Sequence, residues 1–317
     1  MLLRLRLAPR LGWPRAGARG GAAAAAPALR RGLAGGTGGR REQDEQQGGQ
    51  HGHSHGGVPC EHDHSHAQHE QHGHSHGGVP CGHDHSHAHA QETVMALAGA
   101  PVNAFKMNMW VLADLETGDA AIVDAGAGAA KELEQFTRWL DDNDFRLTAV
   151  LQTHAHVDHV LGLGALRKRY GQALPIYLHG KERPVYARAK QAAQSYGLGE
   201  LEDLPQDWID LEGKHEVQVG SLRLQVLETP GHSPGHVAFF EPRTKRLFGG
   251  DLLFQGSIGR TDFPESSPDD MARSLTRICE LPDDVLVLPG HGQPTTIGEE
   301  KETNPHLQRK QHRPRNA

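Results

Sequence analysis

The sequence predicts an α+β fold in which two β-sheets pack against each other and helices cover their outer faces. Short apolar segments typical of strands occur in two groups along the chain, and each group includes segments with helical spacing. The 317 residues are enough to bury a core of that size. Globular sequence texture begins only at Thr93, so the fold is assigned to the later part of the chain.

The first group contains three predicted strands and three predicted helices. A Thr117-Gly118 turn between two apolar segments indicates a β-hairpin, and a segment with helical spacing follows it. A strand of the buried type comes next and stops at a polar cluster. The predicted strands are Asn108–Asp114, Ala120–Asp124 and Leu147–Thr153, and the predicted helices are Ala129–Leu140, 160–170 and 183–197.

The second group supplies the other sheet and its covering helix. Its strands are predicted at Leu222–Glu228, Val237–Glu241, Lys245–Leu253 and Val285–Leu288, with a helix at Ser267–Glu280 before the last strand. The last strand ends just before Gly290. The order of these elements, more than their boundaries, favours two packed sheets.

The first 41 residues have the composition of an organellar transit peptide. They contain nine arginines and no acidic residue, whereas the rest of the chain has 24 basic and 39 acidic residues. Leaders rich in arginine and free of acids direct proteins to organelles. Thr37 is the only hydroxyl residue of this stretch, so the mitochondrial matrix is the predicted destination, with a plastid or the cytosol as alternatives.

Residues 42–92 contain a histidine-rich tandem repeat. The copies His51–Ala67 and His72–Ala88 differ at one position, and the repeat period is 21 residues. A segment with so few aliphatic residues cannot form a core, so we predict that it is disordered. Imidazoles between small polar residues bind zinc, nickel or copper, which makes extra metal ions the predicted partners of the repeat. A low-complexity tract without a selected role is the alternative.

The overall composition excludes several classes of protein. A formal net charge of −6 argues against a general nucleic-acid binder. No stretch approaches the ~20 consecutive apolar residues of a membrane-spanning helix. Three cysteines do not supply a disulfide framework. The sequence carries no signal for an oligomeric state.

Four polar clusters follow predicted strands of the domain that begins at residue 93. They are Thr153–His159 (THAHVDH), His232 in TPGHSPGH, Asp251 in FGGDLLF and His291 in LPGHG. Loops at strand ends usually present functional side chains, and the neighbouring glycines let the backbone turn sharply there. Imidazole nitrogens and carboxylate oxygens gathered in this way predict a metal site.

Through these motifs and their order, the sequence resembles the metallo-β-lactamase superfamily over roughly residues 95–305. The resemblance implies a four-layer αββα sandwich with a dinuclear metal site at one edge. The hydrolase domain would then span residues 93–305, followed by a basic C-terminal tail over residues 306–317.

The resemblance also implies a role for each polar residue. Carried over to this sequence, His154, His156 and His232 would bind the first metal, Asp158, His159 and His291 the second, and Asp251 would bridge both. Asp124, in the segment IVDAG, matches the family aspartate that orients the ligands without binding metal itself. Zinc is the expected ion at both positions, and iron or manganese would suit the same donors.

The expected chemistry follows from such a pair of ions. Two divalent ions about 3.5–4 Å apart lower the pKa of a shared water and polarise a carbonyl oxygen. A metal-bound hydroxide is therefore expected to attack an acyl carbonyl, with Asp158 and Asp251 as catalytic residues and Asp158 aiming the hydroxide. A small-molecule thioester is a suitable substrate because a thiolate leaves readily.

Within the superfamily, Gly250–Met271 and Leu288–Pro305 look like the short form of the glyoxalase II-like proteins, which hydrolyse S-D-lactoylglutathione and related thioesters. Only 26 residues follow His291, so the C-terminal helical region that helps hold glutathione is missing from this pattern. Asp262 and Gln293 stand about where the family has tyrosines that contact glutathione. Arg260 is the candidate substrate residue, as a basic contact to the glycyl carboxylate.

Two alternatives stay open beside this hydrolase. A persulfide dioxygenase shares the fold and a stretch like Gly259–Phe263 but uses one iron, and its third motif typically ends in cysteine instead of His236. In the other alternative, the chain stores or buffers metal and the histidine-rich repeat is its functional part. The hydrolase is favoured over the dioxygenase because the third motif ends in His236, and over metal storage because all seven ligand positions are filled.

Overall fold

The computed structural model describes residues 94–198, 201 and 203–308. The predicted leader over residues 1–41, the histidine-rich repeat over 42–92 and most of the basic tail lie outside these residues. In the described part of the chain, two six-stranded sheets and a two-stranded hairpin are present. No helix there combines the length and the hydropathy needed to cross a bilayer.

The first sheet contains six strands, namely β1 Met95–Val102, β2 Met107–Asp114, β3 Asp119–Val123, β4 Arg146–Leu151, β5 Ile176–Leu178 and β6 Ile209–Asp210. They lie side by side in this order. The first three strands pair antiparallel, and the pairs from β3 to β6 are parallel. The predicted hairpin is therefore β2 and β3, with Gly118 in the left-handed conformation at its turn (φ 75°).

The second sheet consists of β7 Glu216–Val219, β8 Leu222–Glu228, β9 Val237–Glu241, β10 Arg246–Gly250, β13 Leu286–Pro289 and β14 Thr295–Thr296. Across the sheet their order is β14-β13-β10-β9-β8-β7. The small hairpin consists of β11 Leu253–Phe254 and β12 Ser257–Ile258. Only the β10–β13 pair is parallel in this sheet among the described residues, so these two strands end at the same edge.

Eight α-helices lie in the described part of the chain. They are α1 Ala130–Asp142, α2 Val157–Val160, α3 Leu163–Tyr170, α4 Arg183–Ala187, α5 Ala189–Ser195, α6 Pro268–Ile278, α7 Ile297–Thr303 and α8 Pro305–Gln308. The predicted helix over 160–170 is divided near Gly162. A Cβ there would lie 2.8 Å from the carbonyl oxygen of Ala127, so the backbones approach too closely for a side chain.

Alternation along the strands separates the core into layers. In β2, Trp110 and Leu112 pack with Phe239 of the second sheet, whereas Val111 faces the helices with Phe136. The outer face of the second sheet packs against α6 through a third cluster that includes Phe240, Leu247, Met271 and Leu275. The order of layers is therefore helix, sheet, sheet, helix. The predicted αββα sandwich is confirmed.

Candidate metal centre

All seven side chains predicted as metal ligands meet at one edge of the sandwich. His154, His156, Asp158 and His159 follow β4 and continue into α2, while His232 follows β8, Asp251 follows β10 and His291 follows β13. The first sheet thus supplies four of these residues and the second sheet supplies three. The centre lies where the two sheets meet.

Three histidines form the first donor set. One ring nitrogen from each of His154, His156 and His232 lies within 4.8 Å of the other two. The closest pair is His156 Nδ1 and His232 Nε2, which are 2.8 Å apart. His232 is oriented by its other nitrogen, Nδ1, which lies 2.8 Å from the carbonyl oxygen of Arg260. A ring nitrogen held in this way fixes the direction in which the opposite nitrogen points.

Asp158, His159 and His291 form the second donor set, with ligand atoms also within 4.8 Å of one another. His291 Nε2 lies 3.1 Å from Asp158 Oδ2. Asp251 stands between the two sets: its Oδ1 is 3.5 Å from His159 Nε2, and its Oδ2 is 3.5 Å from His232 Nε2. One carboxylate therefore faces both donor sets.

Several donor atoms of this centre are buried without a hydrogen-bond partner. They are the Nε2 atoms of His154, His156 and His159 and the Oδ1 atom of Asp251. Buried polar atoms are almost always paired, because an unpaired one costs about 1–3 kcal/mol. Nitrogen and oxygen atoms that are buried together without hydrogen bonds are the donors that divalent metal ions require, so the residues fit such ions.

Asp124 supports the centre from behind. Its Oδ1 accepts the backbone N–H of Thr153 at 2.7 Å, and its Oδ2 accepts the Thr153 hydroxyl at 2.8 Å. Oδ2 also lies 3.0 Å from His159 Nδ1. Asp124, His154 and His159 have atoms close enough for a further metal triad. Because both oxygens of Asp124 are already occupied, we assign this residue to orienting His159.

The electrostatics of the first donor set favour neutral imidazoles. Burial lowers the pKa of His154 well below its usual value. Burial, followed by the neighbouring His232 ring, lowers the pKa of His156 to about 3. Neutral histidine is the form that binds metal ions, so these rings need no proton release before they bind.

Around the second donor set, by contrast, the electrostatics favour charged side chains. Burial lowers the pKa of His159, but Asp158 and Asp251 outweigh burial and raise this pKa well above its usual value. For Asp251, burial favours the neutral acid, yet His291 and His159 hold its pKa well below the usual value. The ionised carboxylates thus attract positive charge into the centre, which a divalent cation can supply.

Two buried residues beside the centre were not predicted as site residues. His236 lies outside the predicted ligand set. Its Nε2 accepts the backbone N–H of Asp251 at 3.1 Å, and its Nδ1 lies 2.8 Å from the Thr229 hydroxyl. Burial lowers the pKa of His236 to about 3, which suits a ring that accepts this N–H. His236 therefore positions Asp251 through its backbone.

Glu182 is the second of these residues. Its Oε2 accepts the backbone N–H of Ala155 at 2.8 Å, and its Oε1 accepts that of Gly235 at 2.7 Å. The side chain is fully buried, and burial raises its pKa. This carboxylate joins the loop that carries His154 and His156 to the loop that carries His232.

An open cavity of about 740 Å³ lies against the centre. Five of the seven candidate ligands line it, namely His156, Asp158, His232, Asp251 and His291. Arg260 also lines it, but its Nε and Nη2 both donate to the Asp262 carboxylate at 2.6 Å. The structure therefore places the predicted substrate residue at the cavity with its guanidinium already paired.

Comparisons with known proteins agree with this fold. The sequence pattern of the metallo-β-lactamase superfamily matches residues 103–291. The hydroxyacylglutathione hydrolase GloC of Haemophilus influenzae is 36% identical over 215 residues, which make up 66% of this chain and 97% of the relative.

Two solved structures share the fold. TTHA1623 in a di-iron-bound form is 36% identical with a TM-score of 0.58, and the match covers 66% of this chain and 99% of that one. The BLEG-1 B3 metallo-β-lactamase is 31% identical with a TM-score of 0.59, covering 67% and 99%. Since the family pattern spans more than half of the chain and includes every candidate ligand, the chain belongs to the metallo-β-lactamase superfamily.

Proposed function

We propose that this chain is a dinuclear metal-dependent hydrolase of thioesters, with S-D-lactoylglutathione as the reference substrate. The observation that carries the proposal is Asp251, whose carboxylate lies 3.5 Å from His159 Nε2 of one donor set and 3.5 Å from His232 Nε2 of the other, beside an open cavity. Metal-dependent hydrolysis in general agrees with the superfamily, and the thioester is suggested by the name of the relative from Haemophilus influenzae.

The proposed metal ligands follow the two donor sets. His154, His156 and His232 would hold one ion, Asp158, His159 and His291 the other, and Asp251 both. We propose zinc, because a mixed set of imidazole and carboxylate ligands suits it. Iron and manganese accept the same donors, and the di-iron-bound relative makes iron the first alternative to test.

The two bound ions would supply Lewis acidity, by acidifying a water molecule and polarising the carbonyl oxygen of the substrate. The protein contributes position and proton transfer. Asp158 lines the cavity, so its carboxylate can accept a hydrogen bond from the attacking water and aim that water at the acyl carbon. Asp124 holds the His159 ring in position, and His236 holds the backbone of Asp251 in position.

The test is hydrolysis of S-D-lactoylglutathione by the full chain before and after chelation. Chelator-treated protein is expected to lose nearly all activity, and added zinc is expected to restore it. Parallel reconstitutions with iron and manganese identify the active metal. Hydrolysis that survives complete metal removal would contradict the proposal.

The same preparations separate the proposal from its two alternatives. Oxygen uptake with a persulfide substrate and one iron, without thioester hydrolysis, would identify a dioxygenase. Bound metal without either activity would identify a storage protein. Turnover of the thioester together with two ions at the centre is the result that supports the hydrolase.

Gly290 offers a test of the centre that leaves every ligand intact. A Cβ at this position would overlap Asp251 Oδ1 and lie 2.9 Å from His159 Cε1. Gly290→Ala is therefore expected to weaken metal binding by about 10–100-fold, as substitutions that disturb ligand orientation do. Competition with a chromophoric chelator measures this change.

Gly249→Ala is the matched control for this substitution. A Cβ there would lie 3.4 Å from Val287 Cγ1, which is close to ordinary van der Waals contact. Both variants carry the same histidine-rich repeat, so metal bound by that segment contributes equally. Equal metal affinity in the two variants would show that the space at residue 290 is not required.

A further inference from the structure

Aromatic side chains flank the candidate metal centre on two sides. The centroid of the Phe263 ring lies 4.7 Å from that of His156, and the centroid of Phe254 lies 6.1 Å from that of His291. His156 and His291 belong to different donor sets. A carbonyl group held between the sets would thus have aromatic surface on either side, against which an apolar acyl group buries area.

A second pair of rings extends this surface towards solvent. Phe105 and Tyr196 both line the cavity and pack edge to face, with centroids 5.2 Å apart. The turn that carries Phe105 is fixed, because Asn103 Nδ2 donates to the carbonyl oxygens of Gly126 and Asp158, each at 2.9 Å. Tyr196 remains 56% exposed. Exposed aromatic surface beside a cleft indicates a binding surface for an apolar group.

The cationic side chains at the cavity already have anionic partners. Arg260 forms its two-pronged contact with Asp262, and its guanidinium carbon lies 4.4 Å from the centroid of Phe263. Arg188 Nη2 lies 2.5 Å from Glu265 Oε1. These two are the arginines among the described lining residues, and no described lysine lines the cavity. To pair with one of these arginines, a substrate carboxylate would have to displace Asp262 or Glu265. The displaced side chain would remain nearby, and its negative charge would repel the substrate carboxylate.

We propose that this cavity selects uncharged thioesters with an apolar acyl group and discriminates against carriers that bear carboxylates, such as glutathione. The inference rests on the thioester hydrolysis proposed above and narrows its substrate class. In the reaction, the water oxygen forms a bond to the acyl carbon and the carbon–sulfur bond breaks. The sulfur leaves with the bonding electrons and takes up a proton, which yields a carboxylic acid and a thiol.

Four thioesters distinguish the effect of the acyl group on the rate from the effect of the carrier. They combine a hexanoyl or a D-lactoyl group with either N-acetylcysteamine, which is uncharged, or glutathione. The full-length zinc-loaded protein is expected to hydrolyse hexanoyl-N-acetylcysteamine with a kcat/KM at least about tenfold above that for S-D-lactoylglutathione. An equal or higher kcat/KM for S-D-lactoylglutathione would overturn the inference and leave the hydrolase proposal standing.

Binding measurements keep the two proposals distinguishable. If none of the four thioesters is hydrolysed, the proposed function is wrong. Calorimetry with the S-hexyl thioethers of N-acetylcysteamine and glutathione then decides the cavity preference alone. Tighter binding of the uncharged thioether supports the selection against carboxylates, and tighter binding of S-hexylglutathione contradicts it.

Asp262→Asn tests directly whether the pairing of Arg260 with Asp262 disfavours substrates that carry carboxylates. This change frees the Arg260 guanidinium from an exposed side chain, so we expect the fold to be unaffected. KM for the glutathione thioesters should fall about two- to fivefold, because an exposed ion pair contributes little free energy. KM for the N-acetylcysteamine thioesters should stay the same. Asp142→Asn, an exposed aspartate of α1, is the control. An unchanged KM for the glutathione thioesters would count against the role of Asp262.

Tyr196→Ala tests the aromatic surface. KM for hexanoyl-N-acetylcysteamine should rise about three- to tenfold, whereas KM for the D-lactoyl derivative should stay within about twofold. Leu115→Ala removes another exposed apolar side chain, 40% exposed and outside the cavity lining, and should change neither value. Equal effects of Tyr196→Ala on both substrates would show that the rings do not contact the acyl group.

Discussion

Replacing Asp251 with alanine is expected to lower kcat/KM for thioester hydrolysis by at least about 1,000-fold. Asp251 is the side chain that faces both donor sets, with Oδ1 near His159 and Oδ2 near His232. Its loss removes the shared ligand and, after Asp158, the carboxylate that does most to raise the pKa of His159. We therefore expect both activity and metal content to fall together.

Elemental analysis of the wild-type and Asp251→Ala proteins measures the second part of this expectation. Both carry the same histidine-rich repeat, so the difference between them reports the centre alone. Asp142→Ala, at an exposed position of α1, is expected to keep full metal content and activity. A variant at position 251 that retained its metal and its turnover would refute the bridging role.

Glu182→Ala is expected to destabilise the protein by roughly 3–5 kcal/mol, although Glu182 is not a proposed metal ligand. The substitution leaves the N–H groups of Ala155 and Gly235 buried without an acceptor and opens a space between two ligand loops. We also expect kcat/KM of the folded, metal-loaded fraction to fall about 10–100-fold because the ligand loops lose their common anchor. Urea unfolding measures the free energy, and kinetics in the native range measure the activity.

Glu241→Ala separates these two effects. Glu241 is equally buried and also accepts a backbone N–H, from Thr244 at 2.7 Å, but it lies at the end of β9 remote from the centre. This substitution should lower the free energy of unfolding by about 1–3 kcal/mol, because one backbone N–H loses its acceptor, and should leave kcat/KM unchanged. If both variants keep full kcat/KM, Glu182 supports the fold only. Partial recovery of activity in Glu182→Gln would support its positioning role, since one acceptor oxygen remains.

The sandwich could be predicted where strands are apolar enough to be recognised alone. Every residue of β2 is buried, and the sequence of its segment NMWVLAD predicts a strand. The sequence of β1 does not, because MALAGAPV is rich in residues with low β-propensity. This strand forms through pairing with β2 along its whole length, from Met95 opposite Asp114 to Val102 opposite Met107. Such pairing is a long-range property that the local sequence does not carry.

The candidate site likewise contains some residues that local sequence identifies and others that it does not. The seven proposed ligands lie in short motifs at strand ends, four of them in a single cluster, so local sequence is sufficient to single them out. Glu182 has no such mark, since its hydrogen-bond partners are 27 and 53 residues away in the chain. The ion pair between Arg260 and Asp262 joins near neighbours, but their side-chain directions come only from the folded loop.

Asp124 has a backbone requirement in addition to its hydrogen bonds. Its φ is 56°, in the left-handed region that glycine, asparagine and aspartate occupy most readily. Glycine would supply no acceptor for Thr153, and asparagine would give His159 no negative charge. In evolutionary terms, a substitution at position 124 must satisfy two independent requirements, the backbone conformation and the charged acceptor. We therefore expect adaptation to new substrates to change the exposed residues Tyr196 and Asp262 before it changes residue 124.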